Sequence, residues 1–185
     1  MDEKLIIAGF GGQGVMAMGQ LLTYSGMIEG KNVSWLPSYG PEMRGGTANC
    51  NVNISTAPVA SPIVVEATTA IVLNLPSLDK FEASVIPGGN LLINSSLIER
   101  KAERDDVTAY YIPANDIAME VGSIRAANMV LLGALIEITG VIKVESVTEA
   151  FGKVFGEAKA HLLPMNMEAL KRGSELIKEQ MKVNV

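Results

Sequence analysis

Cysteine and histidine are almost missing from this chain of 185 residues, which has one of each, Cys50 and His161. A single cysteine excludes an internal disulfide and any all-cysteine iron–sulfur cluster held within the chain. A single histidine leaves no dedicated zinc site, so no metal ligand is read from the sequence. Positive charge is also short. Fifteen Lys and Arg face 20 Asp and Glu, a formal charge of -5, whereas nucleic acids and anionic membranes call for a basic face. Long hydrophobic runs are absent. The greasiest region, residues 126–142, is broken by Asn128, Gly133, Glu137, Thr139 and Gly140, short of the roughly 18–20 apolar residues of a membrane span. After the mixed charges of residues 1–4 the apolar stretch ends at Ala8, too soon for a secretory leader. The expectation is a cytoplasmic chain with one domain over residues 1–185.

Catalytic signatures are equally scarce. There is no Gly-x-Ser-x-Gly elbow, and His161 lies near the C-terminus with no evident triad partner. The acidic pair Asp105-Asp106 falls in the charged run 99–106, a solvated surface. Catalytic residues are therefore expected to be none. What the chain does have is apolar surplus. Apolar residues make up 48%, ten of the residues are methionine and the mean hydropathy is +0.27, which points to surface covered by a partner.

The first organised stretch is Leu5-Ile6-Ile7-Ala8-Gly9-Phe10-Gly11-Gly12-Gln13-Gly14-Val15. A short apolar run suits a parallel strand covered on both faces. The glycines then allow a sharp turn, and Met18, Leu21, Leu22 and Ile28 give the stripe of a helix. Gly9, Gly11 and Gly14 satisfy the dinucleotide fingerprint G-x-G-x-x-G. That fingerprint needs an acid about 20 residues on, at the end of the second strand, to hold the ribose. Here that strand ends in Ser34-Trp35-Leu36, and the nearest acid, Glu29, lies before it. No lysine follows the glycines, so a P-loop is excluded. Two readings stay open for Gly11, Gly12, Gln13 and Gly14: an anion site at a helix start, or only a tight strand–helix turn.

Downstream, Thr47 to Ile54 alternates, with Ala48, Cys50, Val52 and Ile54 on the apolar face. Cys50 is thus expected to be a packed core thiol. Further strands are expected at 67–75, 91–94 and 107–112, with Pro87-Gly88-Gly89-Asn90 as a turn and Pro76-Ser77 as a helix start. Residues 124–139 read as one helix, greasy nearly all round and sandwiched between layers. Ser146 with Glu149 fits a capping box, and an amphipathic helix from Pro164 to Lys182 ends the chain. Strands and helices alternate throughout. The fold class is α/β, three layers α/β/α around a mainly parallel sheet with a Rossmann-like beginning and one antiparallel strand, residues 47–54.

Residues 37–46, Pro-Ser-Tyr-Gly-Pro-Glu-Met-Arg-Gly-Gly, read as a loop off the end of a parallel strand, where α/β proteins bind ligands. It carries Tyr39, Glu42 and Arg44. This loop, the glycine loop 9–15, and Arg125-Ala126-Ala127-Asn128-Met129 with Leu132-Gly133-Ala134 together resemble one family. It is the gamma subunit of the 2-oxoacid:ferredoxin oxidoreductases, found also as an internal domain of single-chain pyruvate:ferredoxin oxidoreductase. The resemblance covers nearly the whole chain from Lys4.

The resemblance implies a multi-subunit enzyme that oxidatively decarboxylates pyruvate, 2-oxoglutarate or a branched-chain 2-oxoacid to acyl-CoA and reduces ferredoxin. It implies thiamine diphosphate with magnesium and iron–sulfur clusters, held by alpha, beta and ferredoxin-like delta partners rather than by this chain. The chain itself would be a buttress whose loops border the active-site or CoA channel. On that reading Gly11, Gly12, Gln13 and Gly14 offer backbone N–H groups to an anion. Arg44 pairs with a partner carboxylate or a CoA phosphate, Glu42 fixes Arg44 or nearby backbone, and Tyr39 shares the channel or subunit interface. Asn128, polar on a greasy helix, ties that helix to one of the loops or is satisfied locally. Two rivals remain: the related subunit of indolepyruvate:ferredoxin oxidoreductase, and a freestanding Rossmann-like nucleotide-binding protein.

Overall fold

The structure, a computed structural model, describes residues 2–39 and 47–183. Six strands form one sheet in the order β2-β3-β1-β4-β5-β6. They are β1 (Asp2–Phe10), β2 (Asn32–Tyr39), β3 (Thr47–Ser55), β4 (Ala67–Val72), β5 (Val85–Asn94) and β6 (Thr108–Ile112). The pairs β1–β4, β4–β5 and β5–β6 are parallel, and β3 runs antiparallel to both β1 and β2. This is the mainly parallel sheet with one antiparallel strand that the alternation of residues 47–54 foretells. The helices are α1 (Val15–Ile28), α2 (Leu75–Phe81), α3 (Ala114–Val121), α4 (Ala127–Thr139), α5 (Val144–Phe155) and α6 (Leu163–Val183).

Period-two alternation divides the core between the two sheet faces. Leu5, Ile7, Cys50, Val52, Ile71 and Leu92 face the larger cluster, built with α1 and α3–α6. Ile6, Ala70, Val72, Leu91 and Ile93 face the smaller one, where Leu78 of α2 and Ile98 supply the cover. The layers are unequal. Among the described residues the second face is covered by α2, a seven-residue helix, with the 3-10 turn after it and irregular segments. There the Asn side of β3 is covered rather than solvated: Asn53 Nδ2 donates to Ser34 Oγ at 2.9 Å, and Asn51 Oδ1 accepts from Val64 N at 3.0 Å.

Helix α4 is buried nearly all round because it lies between the sheet and α6. Its crossing with α6 is made by a reciprocal pair of glycines. A Cβ on Gly133 would fall inside the Leu170 carbonyl, and one on Gly173 inside the Val130 carbonyl. The two backbones touch there, which only glycine permits.

Four local expectations are corrected. Residues 37–39 belong to strand β2, not to a loop; Pro37 is tolerated because β2 is an edge strand, where a missing N–H breaks no ladder. Pro87-Gly88-Gly89 is a bulge inside β5 rather than a turn, marked by a register shift against β4 and by Gly88 at φ 77°. The strand expected to Leu75 stops at Val72, and Asn74 caps α2 by accepting the Ser77 N–H at 2.9 Å. Ser146 is not an N-cap. It sits inside α5 and donates to Glu29 Oε1 at 2.8 Å, while the same oxygen accepts the Lys143 N–H at 2.6 Å. A carboxylate from the end of α1 thus caps α5 in place of a capping box.

Candidate functional site at the carboxyl ends of the strands

The chain leaves β1 at Phe10 and enters α1 through the glycine loop. Gly12 and Gly14 take φ 93° and 77°, which the absence of a side chain allows. Gln13 locks this loop from within. Its Oε1 accepts the Phe10 N–H at 2.6 Å and its Nε2 donates to the Leu73 carbonyl at 3.4 Å, joining the ends of β1 and β4. Asn128 of α4, 5% exposed, donates through Nδ2 to the Gly14 carbonyl at 3.2 Å. That same carbonyl accepts Met18 N at 3.0 Å in the first turn of α1. The buried amide therefore has a loop partner, and α4 is fastened to the glycine turn.

Strands β1 and β4 are neighbours, yet α1 follows β1 onto the larger cluster and α2 follows β4 onto the smaller one. The sheet's winding reverses between them, and the crevice at their carboxyl ends is where open α/β sheets bind ligands. A cleft of about 250 Å³ opens there, lined by Gly12, Gln13, Leu73, Asn115, Ile124 and Arg125. A Cβ on Gly12 would meet nothing within 4 Å, so the loop backbone faces open space. Asn94, fully buried, holds Asn115 in the far wall. Its Nδ2 donates to Asn115 Oδ1 at 3.0 Å and its Oδ1 accepts the Ala114 N–H at 3.2 Å, holding the start of α3 to the end of β5.

Arg125 is the cationic group of this cleft. Residues 124–126 form a turn of 3-10 helix, not the first turn of α4, and Ser123 Oγ caps it by accepting the Arg125 N–H at 3.3 Å. The guanidinium makes no ion pair among the described residues. Neither Arg125 nor Asn115 was singled out as a site residue by sequence reasoning. The available signal was a basic residue at the mouth of an otherwise apolar helix.

Tyr39 ends β2 and is 56% exposed. It pairs with Ala48, which in turn pairs with Gly9, so Tyr39 lies two interstrand spacings, about 10 Å, from the glycine loop. It stands at the same end of the sheet but does not line this cleft. Glu42 and Arg44 lie outside the described residues.

Other sequence candidates take structural roles. Cys50 is fully buried, its Sγ 3.7 Å from the Val15 carbonyl. Burial pushes its thiol up to about 12, against a weak opposing pull from the Trp35 indole N–H. Such a thiol is neither a nucleophile nor a cluster ligand. Glu29, the acid nearest to a ribose position, lies at the far end of α1, bonded to Lys31, Lys143 and Ser146. Strand β2 itself, from Asn32 to Tyr39, carries no acid to hold a ribose. No group of three His, Cys, Asp or Glu able to hold a metal occurs among the described residues. With one cysteine in its sequence, the chain cannot by itself supply the thiolates of an all-cysteine cluster.

Residues 4–176 match the family model described as pyruvate ferredoxin/flavodoxin oxidoreductase. The chain belongs to that family. Among its relatives is the ketoisovalerate oxidoreductase subunit VorA of Methanothermobacter thermautotrophicus, 41% identical over 96% of this chain. A solved structure of the gamma subunit of a keto/oxoacid ferredoxin oxidoreductase from Geobacter sulfurreducens superposes with TM-score 0.80 at 28% identity, covering 96% of this chain and 99% of that one. A 2-oxoglutarate:ferredoxin oxidoreductase from Magnetococcus marinus, solved with 2-oxoglutarate, coenzyme A and succinyl-CoA bound, gives TM-score 0.87 at 26% identity over 96% of this chain. The chain spans 37% of the VorA polypeptide and 31% of the Magnetococcus chain. In this family's fold it corresponds to the gamma-type unit. No helix among the described residues is long and apolar enough to cross a membrane.

Proposed function

We propose that this chain is the gamma subunit of a multi-subunit 2-oxoacid:ferredoxin oxidoreductase, which converts a 2-oxoacid and CoA to acyl-CoA and carbon dioxide and reduces ferredoxin. Partner chains of alpha, beta and delta type hold thiamine diphosphate, magnesium and the iron–sulfur clusters. This chain contributes structure and one wall of the channel along which CoA arrives. The observation behind the reading is that the glycine loop, Asn128 and the end of β2 stand at one end of the sheet, in a chain that belongs to this family.

In this account the backbone of Gly11, Gly12 and Gly14 is offered to an anionic group of CoA, with open space over Gly12. Gln13 and Asn128 keep that backbone in shape from behind. Arg44, with Glu42 and Tyr39, engages a CoA phosphate or a partner carboxylate, for which the forked guanidinium is suited. The 2-oxoacid is recognised in other chains. A branched-chain 2-oxoacid is the first substrate to try, given the 41% identity to a ketoisovalerate enzyme subunit.

The test is Arg44→Lys in the reconstituted complex, with turnover followed at varied CoA. A rise in the CoA KM, or loss of this chain from the complex, is expected. An unchanged KM together with unchanged subunit retention would remove Arg44 from the channel.

A further inference from the structure

On the other side of Arg125 from the glycine cleft lies a second, larger chamber of about 410 Å³. It is enclosed by the start of α1, the first turn of α4, the end of α5 and the start of α6. That volume is within the roughly 300–1,000 Å³ range of small-molecule sites. The channel reading uses Gly14 and Asn128 of its wall but assigns the cavity itself no ligand.

Its wall on the α5 side is aromatic. Phe151, 2% exposed, and Phe155 pack with ring centroids 4.5 Å apart and planes tilted by 48°. Leu162 and Met165 extend the apolar surface. Two cations stand at its rim. Arg125 belongs to both cavities, and Lys159 holds its ammonium 5.6 Å from the Phe155 ring centre. Neither makes an ion pair among the described residues, and no acidic residue is among those that line the chamber. In a chain with a net charge of -5, an apolar cavity whose only charged liners are two cations is a selective environment. An apolar body desolvates against the rings, while a carboxylate at the mouth meets charge-assisted donors.

We infer that this chamber is a binding site for a small organic carboxylate with an aryl or branched alkyl body, its anionic head between Arg125 and Lys159 and its apolar end on Phe151 and Phe155. A neutral ligand of the same shape forfeits the two cations, and a small inorganic anion forfeits the rings. The chamber is distinct from the glycine cleft; Arg125 lines both, and Gly14 and Asn128, which form and brace the glycine loop, also line the chamber.

The experiment titrates the full chain, labelled with 15N and with 13C at methionine methyls, with 4-phenylbutyrate, 4-phenylbutanol and inorganic phosphate. Saturable shifts at the Met165 methyl and at the Ala17 and Asn128 amides are expected for phenylbutyrate. The alcohol and phosphate should bind at least roughly tenfold more weakly, as loss of a charged contact implies. Lys159→Gln should weaken phenylbutyrate similarly, and Ala17→Leu, which fills the chamber from α1, should abolish the shifts at Met165. Because Lys159 is exposed and outside the glycine cleft, its loss leaves the CoA channel intact. Failure here is therefore distinct from failure of the Arg44 test. Absence of saturable shifts, shifts centred elsewhere, or equal binding by the Lys159→Gln chain would overturn the assignment.

Discussion

The coupling between Gly14 and Asn128 offers a quantitative test of how the site is held together. Gly14 sits at φ 77°, and a Cβ there would lie 2.5 Å from Asn128 Nδ2 and 2.8 Å from its Cγ. Gly14→Ala thus incurs two separate penalties. The left-handed backbone costs about 1–2 kcal/mol for a residue with a side chain. The amide must also swing away, leaving a buried polar group unpaired at about 1–3 kcal/mol. Asn128→Ala alone is milder, about 1 kcal/mol, because the Gly14 carbonyl keeps the Met18 N–H at 3.0 Å. In the double variant the backbone strain remains but the clash is gone. Its destabilisation should therefore fall short of the sum of the singles by about 1–3 kcal/mol. Urea unfolding of the four chains at neutral pH, with the m-value checked for constancy, measures this. Additivity within about 0.5 kcal/mol would refute the contact and with it the fastening of α4 to the glycine turn.

Three further outcomes follow from other parts of the fold. Gly133→Ala should destabilise by about 3 kcal/mol or more, because its Cβ would meet the backbone of α6 and not a side chain that can move; Gly152→Ala, in α5 with nothing within 4 Å, should instead stabilise by about 0.5–1 kcal/mol, and similar melting-temperature changes for the two would contradict the glycine crossing. Burial raises the Glu29 pKa, but hydrogen bonds from Lys143, Lys31 and Ser146 and the Lys31 charge outweigh it and hold the carboxyl below its usual 4.5; its stabilising contribution is present above that value and fades as pH falls through the lower folded value, so Glu29→Gln should flatten the stability–pH curve below about pH 5, a result that parallel curves would rule out. Cys50, with its thiol near 12, should resist iodoacetamide at pH 8 in the folded chain and react once unfolded in urea; equal rates would show that it is accessible.

Much of the fold is legible in the sequence because its signals are local. The apolar run 5–8, the glycine turn, the alternation of 47–54 and the all-round greasiness of α4 each name their element and its environment. What misleads is punctuation. Pro37 and Pro87-Gly88-Gly89 are loop signals to any local reading, yet strand position decides the outcome: one falls on an edge, the other in a bulge. Ser146 and Glu149 have capping-box spacing, but the carboxylate that caps α5 comes from Glu29, more than a hundred residues earlier. The crossing of α4 on α6 is likewise invisible locally, since Gly133 and Gly173 acquire meaning only when two helices meet. At the site, Gln13 and Asn128 were noticed by type, but Arg125 and Asn115 are brought to the cleft by the winding of the sheet. The lack of an acid along residues 32–39 is legible in the sequence and sets β2 apart from the second strand of a dinucleotide-binding fold.

Native purification decides whether this chain works within the proposed oxidoreductase complex. The chain is tagged in its own cells, isolated anaerobically, and its co-eluting partners are identified and assayed for CoA-dependent reduction of ferredoxin with pyruvate, 2-oxoglutarate and 2-oxoisovalerate. Co-elution with thiamine-diphosphate-binding and ferredoxin-like chains, and turnover of at least one of these oxoacids, is the expected result. A chain that elutes alone, or with partners that oxidise none of the three, would contradict the account.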